Sequence, residues 1–389
     1  MRADKYLDFW AMAVVLLAIG YGLWKPIWDW DATAYLALAR SLGEADWGKI
    51  HAWTYEQLRF LPPRDHLLFL TWEPFRARLA VDPESLRQVT AFYAERVGYY
   101  TLLAGLIGLG VPGTWGITAI NVLAQGVMGA AVWGWLRRIS DSKWMVLVLA
   151  VVMFYPSVMK VLRWSNPDGL VAALMVLGCY LVLFRRDYWG ILVWLLMVLC
   201  KPNTALWLAP LGLWFLCAKD FGRAAALVGV GMVAGVLHFS LPAYGAPLLW
   251  AHTWGAGPFV RPAEVVVPFR FEDYWGYLTM RATGLGGRDL ILFGLMWLSL
   301  AVLWLRGGRR EAWFGTFLVG GVMVQVLGFP GFWERLYTGP VLVLVLLAGT
   351  CVTTCIGEAN WGMAKEYAAA KPRRRTKEQP RRSVKHRTI

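Results

Sequence analysis

Charge is scarce in this 389-residue sequence: Asp, Glu, Lys and Arg make up 16% of it, while 58% is hydrophobic. Soluble domains carry roughly 25% charged and 45–50% apolar residues, so a globular surface covered by water is excluded. Cysteine is also sparse. The five, Cys179, Cys200, Cys217, Cys351 and Cys355, lie in or at the ends of apolar runs, form no CxxC pair and are odd in number. That argues against a disulfide framework and against a zinc site. Among the histidines, His51 and His66 lack metal-ligand spacing. No Gly-rich loop follows a strand pattern, so a phosphate-cradling nucleotide site is not indicated. No internal repeat is visible, which weighs against an inverted-repeat transporter. The N-terminal apolar stretch runs into Lys25-Pro26 without the small-residue site of a cleaved signal peptide; it is expected to be a first span.

The sequence is rich in apolar runs of the length that crosses a hydrocarbon core, about 17–25 residues. It is also rich in tryptophan, with 24 residues. Trp24, Trp28, Trp133, Trp135, Trp144 and Trp164 stand at the ends of such runs, at the headgroup level that amphipathic rings prefer. The net charge of +14 is not a nucleic-acid signature, because more than half of it lies between Lys371 and Ile389. That run is expected to be a solvated tail close to anionic headgroups, and no nucleic-acid partner is expected.

Counting Lys and Arg in short loops orders the spans. The N-terminus, with Arg2 and Lys5, is placed in the cytoplasm, followed by a span over 6–24. A long outer loop over 27–113 contains a stretch, 99–111, that is too short to span and is expected to lie on the membrane surface. Further spans follow over 114–136, 144–161 and 169–184, and a hairpin turns at Cys200-Lys201-Pro202-Asn203. A span ending near Leu241 leads to a second outer loop over 242–288. A span ending at Arg306, one reaching the turn at 328–335 and a last return follow. The expected fold is an all-α integral membrane protein of about ten transmembrane helices, with interfacial helices in the first long loop. A transmembrane domain covers 1–360 and a basic, disordered cytoplasmic tail covers 361–389. Had 99–111 crossed, Arg137-Arg138 and Arg185-Arg186 would face outward, against the rule that basic loops stay inside.

Polar side chains gather in the outer loops. Asp29 and Asp31 follow the first span directly, walled by Trp28 and Trp30. Burial raises a carboxylate's pKa and a nearby cation lowers it, and a carboxylate so placed can act as a general base. The competing reading is that both cap the following helix, and the two readings have equal weight. Lys201 and Arg335 sit at outer span ends. Lys201 is either a functional cation or an interfacial lysine that snorkels; Glu334-Arg335 is either functional or a mutual ion pair. Asn166-Pro167-Asp168 begins a helix with Pro at the first helical position, and capping is the favoured reading of this segment, with Asp168 facing the same cavity as the alternative. The second outer loop, with His252, Trp254, Arg261, Arg270, Glu272, Asp273 and Trp275, mixes charged and aromatic groups, a pattern not specific to any one ligand.

The pattern Asp31-x-x-x-Tyr35-x-x-x-Ala39 at the start of the long outer loop resembles the class C (GT-C) superfamily of membrane glycosyltransferases. Arg96-Val-Gly-Tyr-Tyr-Thr-Leu-Leu-Ala resembles the interfacial segment before their second span. Cys200-Lys201-Pro202-x-x-Ala-Leu-x-Leu-x-Pro210 resembles their Lys-Pro turn between mid-chain spans. Glu334-Arg335-Leu-Tyr337-x-x-Pro340 resembles the start of one of their late spans. These segments are short and occur in the family's order over residues 1 to 350. Two departures leave the branch open: Leu336 separates Arg335 from Tyr337, and the acidic pair is Asp29-x-Asp31 rather than adjacent.

The resemblance implies a sugar donor linked to a polyprenyl phosphate and inverting transfer on the outer face of the cytoplasmic membrane. It implies Asp31 as general base and Asp29 as its helper, or as a ligand with Asp31 if a divalent cation takes part. Lys201 and Arg335 would bind the lipid phosphate, with Tyr35, Asp168, Glu334 and Tyr337 as substrate contacts. The acceptor, a glycan, lipid or protein, stays open. A transporter or lipid flippase and a non-catalytic protein of envelope assembly are the competing classes.

Overall fold

The computed structural model describes residues 2–71, 73–185, 188–241, 244–255, 257–329 and 334–370. The basic run 371–389, Arg186 and residues 330–333 of the turn at 328–335 lie outside these residues, as do the side chains of Glu334 and Cys355. Among the described residues the chain is all-helical, apart from one isolated bridge between Ile27 and Trp164.

Helix α1 (Arg2–Trp24) is followed by six short helices: α2 (Asp31–Ser41), α3 (Trp47–Leu58), α4 (Pro63–Thr71), α5 (Pro74–Val81), α6 (Pro83–Thr90) and α7 (Val97–Gly108). Their starts are written in the sequence. Asp46 caps α3 by accepting from the Gly48 and Lys49 N–H groups at 2.8 and 3.3 Å. Proline opens α5 and α6. Helix α2 does not lie on a surface: Ala32 to Ala39 are all buried, packed against α3, α6 and α7. The first long loop is therefore a packed helical cap with its own core.

The chain then forms α8 (Gly113–Ile139), α9 (Trp144–Met153), α10 (Pro156–Arg163), α11 (Asp168–Tyr180), α12 (Trp189–Cys200), α13 (Ala205–Cys217) and α14 (Phe221–Ser240). Helices α15 (Ala246–Trp254) and α16 (Phe271–Thr283) form the second loop. Helices α17 (Gly287–Arg306), α18 (Arg309–Gly328) and α19 (Glu334–Ala370) complete the order. Among the described residues six helices, α1, α8, α14, α17, α18 and α19, are long and apolar enough to cross a membrane, which makes this a multi-pass membrane protein.

The remaining apolar runs take other forms. The expected continuous span over 144–161 is two helices bent by 57°, because Pro156 has no N–H for the ladder and its ring collides with the preceding turn. Counted as one, the pair raises the number of candidate spans to seven. The runs over 168–184 and 189–200 are shorter apolar helices. Almost every residue of α11 is buried, so its all-round apolarity is explained by neighbouring helices. The last helix continues to Ala370, past the expected boundary at 361, through a segment that includes the good helix formers Met363, Ala364, Lys365 and Glu366.

Two glycines let the helices carrying the site approach closely. A side chain on Gly98 in α7 would stand 2.9 Å from the Leu199 backbone of α12, and one on Gly339 in α19 would stand 3.0 Å from Cα of Ala172 in α11. Small residues at such crossings are how helices pack in lipid. Each glycine lies within a turn or so of a charged residue, Arg96 before Gly98 and Arg335 before Gly339.

Candidate functional site

The segment after α1 is held to the segment after α10 by the single parallel bridge between Ile27 and Trp164. The Ile27 N–H donates to the Arg163 carbonyl at 3.1 Å, and the Ser165 N–H to the Ile27 carbonyl at 2.9 Å. The Arg163 Nε donates to the Lys25 carbonyl at 2.6 Å, and the Asp29 N–H donates to Ser165 Oγ at 2.7 Å. This clamp sets the direction of Asp29. Its Oδ2 accepts from Trp164 Nε1 at 2.8 Å and from an Arg335 guanidinium nitrogen at 3.2 Å.

Neither aspartate caps α2, whose first residues receive no side-chain cap. Asp31 instead accepts from the Tyr93 hydroxyl at 2.8 Å. At the start of α11 the capping side chain is Asn166, which leaves the Asp168 carboxylate to face Lys201 on the cavity side. Asn166 Oδ1 accepts from the Asp168 N–H at 3.0 Å, and the Asp168 carboxylate faces two cations. Its Oδ1 pairs with Lys201 Nζ and its Oδ2 lies 3.5 Å from Arg335 Nε. Asp168 is 4% and Lys201 7% exposed, so Lys201 is not a snorkelling lysine. Charges this deeply buried persist because they are paired.

Arg96, at the start of α7, donates to the Tyr35 hydroxyl and stands 4.8 Å from the ring of Tyr93, within cation–π range. Asp29, Asp31 and Asp168 thus meet Arg96, Lys201 and Arg335, three carboxylates against three cations. Tyr337, by contrast, is buried against Phe293 with ring centroids 5.4 Å apart. It is not among the residues lining the cavities described next, and the Glu334 side chain lies outside the described residues.

A chamber of about 310 Å³ is lined by Asp29, Asp31, Arg96 and Arg335 together with residues of both long loops, including His252. A second cavity, of about 500 Å³, meets it at Arg96 and continues past Lys201 to Gly231, Trp250 and Gln325. A third, of about 550 Å³, meets it at Asp29 and Arg335 and is also bounded by Lys160, Trp164 and Gly286–Asp289. The charged cluster is the partition at which the three spaces converge. These volumes lie in the range of small-molecule sites.

The electrostatics follow from this crowding. Burial, reinforced by the charge of Asp31, pushes the Asp29 carboxyl up to about 6, although Arg335 and the Trp164 N–H pull it down. Burial and the adjacent Asp31 raise the Tyr93 hydroxyl well above its ordinary value, so it remains a donor to Asp31. Burial pushes His252 down to about 4; it is neutral, and its Nδ1 accepts from the Phe259 N–H at 2.9 Å. Among the described residues no group of three or more His, Cys, Asp or Glu side chains is placed to hold a metal.

Reading the sequence singles out Asp29, Asp31, Lys201, Arg335, Asp168 and Tyr35, and the fold brings all six together. It does not single out Tyr93, nor Arg96 beyond its place in a quoted segment, and it treats Trp164 only as an interface marker. The one signal for Arg96 is its position as a cation directly before the apolar stretch at 97–109. No family model, no curated protein and no solved structure matches this chain. Its function is therefore to be read from this cluster and the spaces around it.

Proposed function

We propose that the chain is a membrane glycosyltransferase that moves a sugar from a polyprenyl-phosphate carrier to an acceptor on the outer face of the cytoplasmic membrane. The observation that carries this is the convergence of two separate cavities on one chamber, at a partition made of carboxylates and cations. A transfer between two substrates needs two approaches, a base for the acceptor and positive charge for the departing phosphate.

In this reading Asp31 takes the proton from the acceptor hydroxyl or amine. The acceptor atom forms the new bond to the anomeric carbon as the bond from that carbon to the carrier's phosphate oxygen breaks. The electron pair leaves on the phosphate, and the configuration inverts. Arg335 offsets the charge developing on that oxygen, fixed donors being worth most where water is excluded. Asp168 holds Arg335 and Lys201 in place, and Asp29 fixes Arg335 from the other side. Ten spans, with the short helices α11, α12 and α13 inside the bilayer and both termini cytoplasmic, complete the proposal.

The test is transfer from radiolabelled polyprenyl-phosphate sugars by the purified full chain. Loss of at least about a hundredfold in Asp31→Asn, with unchanged thermal unfolding, is expected for removal of a general base. A folded Asp31→Asn protein that transfers at the wild-type rate would take Asp31 out of the mechanism. Movement of lipid or solute across liposomes, with no turnover from any donor, would favour a transporter.

A further inference from the structure

The cavity of about 500 Å³ contains two buried hydrogen-bond donors for which the protein supplies no acceptor. Gln325, in the last turn of α18, is 0% exposed and Trp250, on α15, is 9% exposed; both line this space. Packing fixes which way the Gln325 amide is turned. A side chain on Gly321, one turn earlier, would stand 2.8 Å from the Trp207 backbone, so α18 and α13 touch there. The Trp207 indole N–H donates to Gln325 Oε1, a bond that an amide nitrogen cannot accept. The NH₂ group is the end that remains, and it has no partner among the described residues. The Trp250 indole N–H has none either. Buried donors are almost always paired, and leaving one unmade is costly. Two of them in one cavity point to a ligand that carries oxygen acceptors.

The walls narrow the chemistry of that ligand. Gly231 and Gly235 on α14 line the cavity, and a side chain on either would meet nothing within 4 Å. They serve no close helix contact and leave width instead. Phe92, Tyr244 and Trp250 add aromatic surface. The charges on the walls are already matched, Lys201 by Asp168 and Glu95 by His238 at 2.8 Å, so a charged ligand would be stripped of water without gaining a counter-ion. A sugar ring meets each condition. Its C–H face packs on aromatic rings, and its hydroxyl oxygens accept while their protons turn to suit the surroundings. A peptide would bring further N–H donors to a cavity that is short of acceptors. We propose that this cavity seats an uncharged sugar residue of the acceptor, read by the Gln325 NH₂ group and the Trp250 N–H. The assignment rests on the transferase reading above and names its acceptor class. Cavity and chamber share Phe92, Arg96, Leu249 and Phe329 on their walls, so a hydroxyl at the Arg96 end stands at the edge of the chamber that contains Asp31.

The experiment is photolabelling and binding with the full chain in phosphatidylcholine nanodiscs, using glucose, galactose and mannose disaccharides that carry a diazirine. Labels are expected within 231–250 and 325–329. Binding is expected to weaken about tenfold in Gln325→Glu, which keeps the acceptor for Trp207 and removes the donor. A similar loss is expected in Trp250→Phe, which keeps an aromatic ring and removes the N–H. Gly235→Phe, which fills the cavity, is expected to abolish binding. Gly229→Phe is expected to leave it unchanged, because Gly229 has equally open surroundings on the same helix but does not line the cavity. An uncharged tripeptide blocked at both ends is expected not to compete. Equal binding by Gly235→Phe and Gly229→Phe, no binding of any disaccharide, or competition by the tripeptide would each overturn the assignment. So would labelling of these residues by a photoreactive polyprenyl phosphate, which would give the cavity to the carrier. Failure of the transferase reading looks different. Disaccharide binding that Gly235→Phe abolishes, with no transfer from any donor, leaves the sugar seat standing. Transfer with unchanged acceptor KM in all three cavity variants removes the seat alone.

Discussion

At Asp29, burial and charge pull in opposite directions, and burial prevails. A carboxyl whose folded value lies near 6, above its value in the unfolded chain, binds more protons folded than unfolded between about pH 4 and 6. Stability therefore falls as pH rises through that window, by on the order of 2–3 kcal/mol for a single group shifted this far. Thermal unfolding in detergent from pH 4 to 7 is expected to show the decline in wild type and to lack it in Asp29→Asn. An identical slope in both proteins would mean that Asp29 is not the titrating group. The sequence marks this residue as a candidate but cannot separate base from helix cap. The deciding partners, Trp164 and Arg335, lie 135 and 306 residues away. The same holds for Asp168: the sequence shows it in a helix-starting segment, and only the fold reveals Lys201 opposite the carboxylate.

Among the helices, legibility follows the length of the apolar run. The six long helices are evident in the sequence because a run of about 20 apolar residues has few other uses. The run at 144–161 misleads by its apolarity, although Pro156 within it is a break signal. The burial of α2 is not evident, since Ala32 to Ala39 read as a weakly amphipathic surface helix and become core only through the helices packed over them. Gly339 marks a tight crossing, where an added Cβ would stand 3.0 Å from Cα of Ala172. Alanine in a helix is ordinarily better than glycine by roughly 0.5–1 kcal/mol, and Gly126, with nothing within 4 Å of an added Cβ, is expected to follow that rule. Gly339→Ala is expected to do the reverse, because its methyl meets the α11 backbone, at a cost of about 1–3 kcal/mol for overpacking. Melting curves for the two variants decide it, and stabilisation of both would show that the crossing has slack.

For the molecule as a whole, the distribution of charge gives an orientation that can be measured. Arg76 borders the chamber and Arg288 the cavity of about 550 Å³ beside it, whereas Arg309 opens α18 after the turn from α17. In a cysteine-free background, Arg76→Cys and Arg288→Cys are expected to react with a membrane-impermeant maleimide on intact cells. Arg309→Cys is expected to react only after permeabilisation. The opposite pattern would invert the topology and move the proposed chemistry to the cytoplasm.

The partition between the cavities also bears on the order of events in the proposed reaction. A pocket with one opening must empty before a second molecule enters, and chemistry confined to it tends to store the transferred group on the protein in between. Here the chamber meets one cavity at Arg96 and another at Asp29 and Arg335. Neither substrate has to leave for the other to arrive, so the sugar has no need of a resting place on a side chain. Turnover by this route is sequential, with both substrates on the protein at once when the bond to the sugar changes hands.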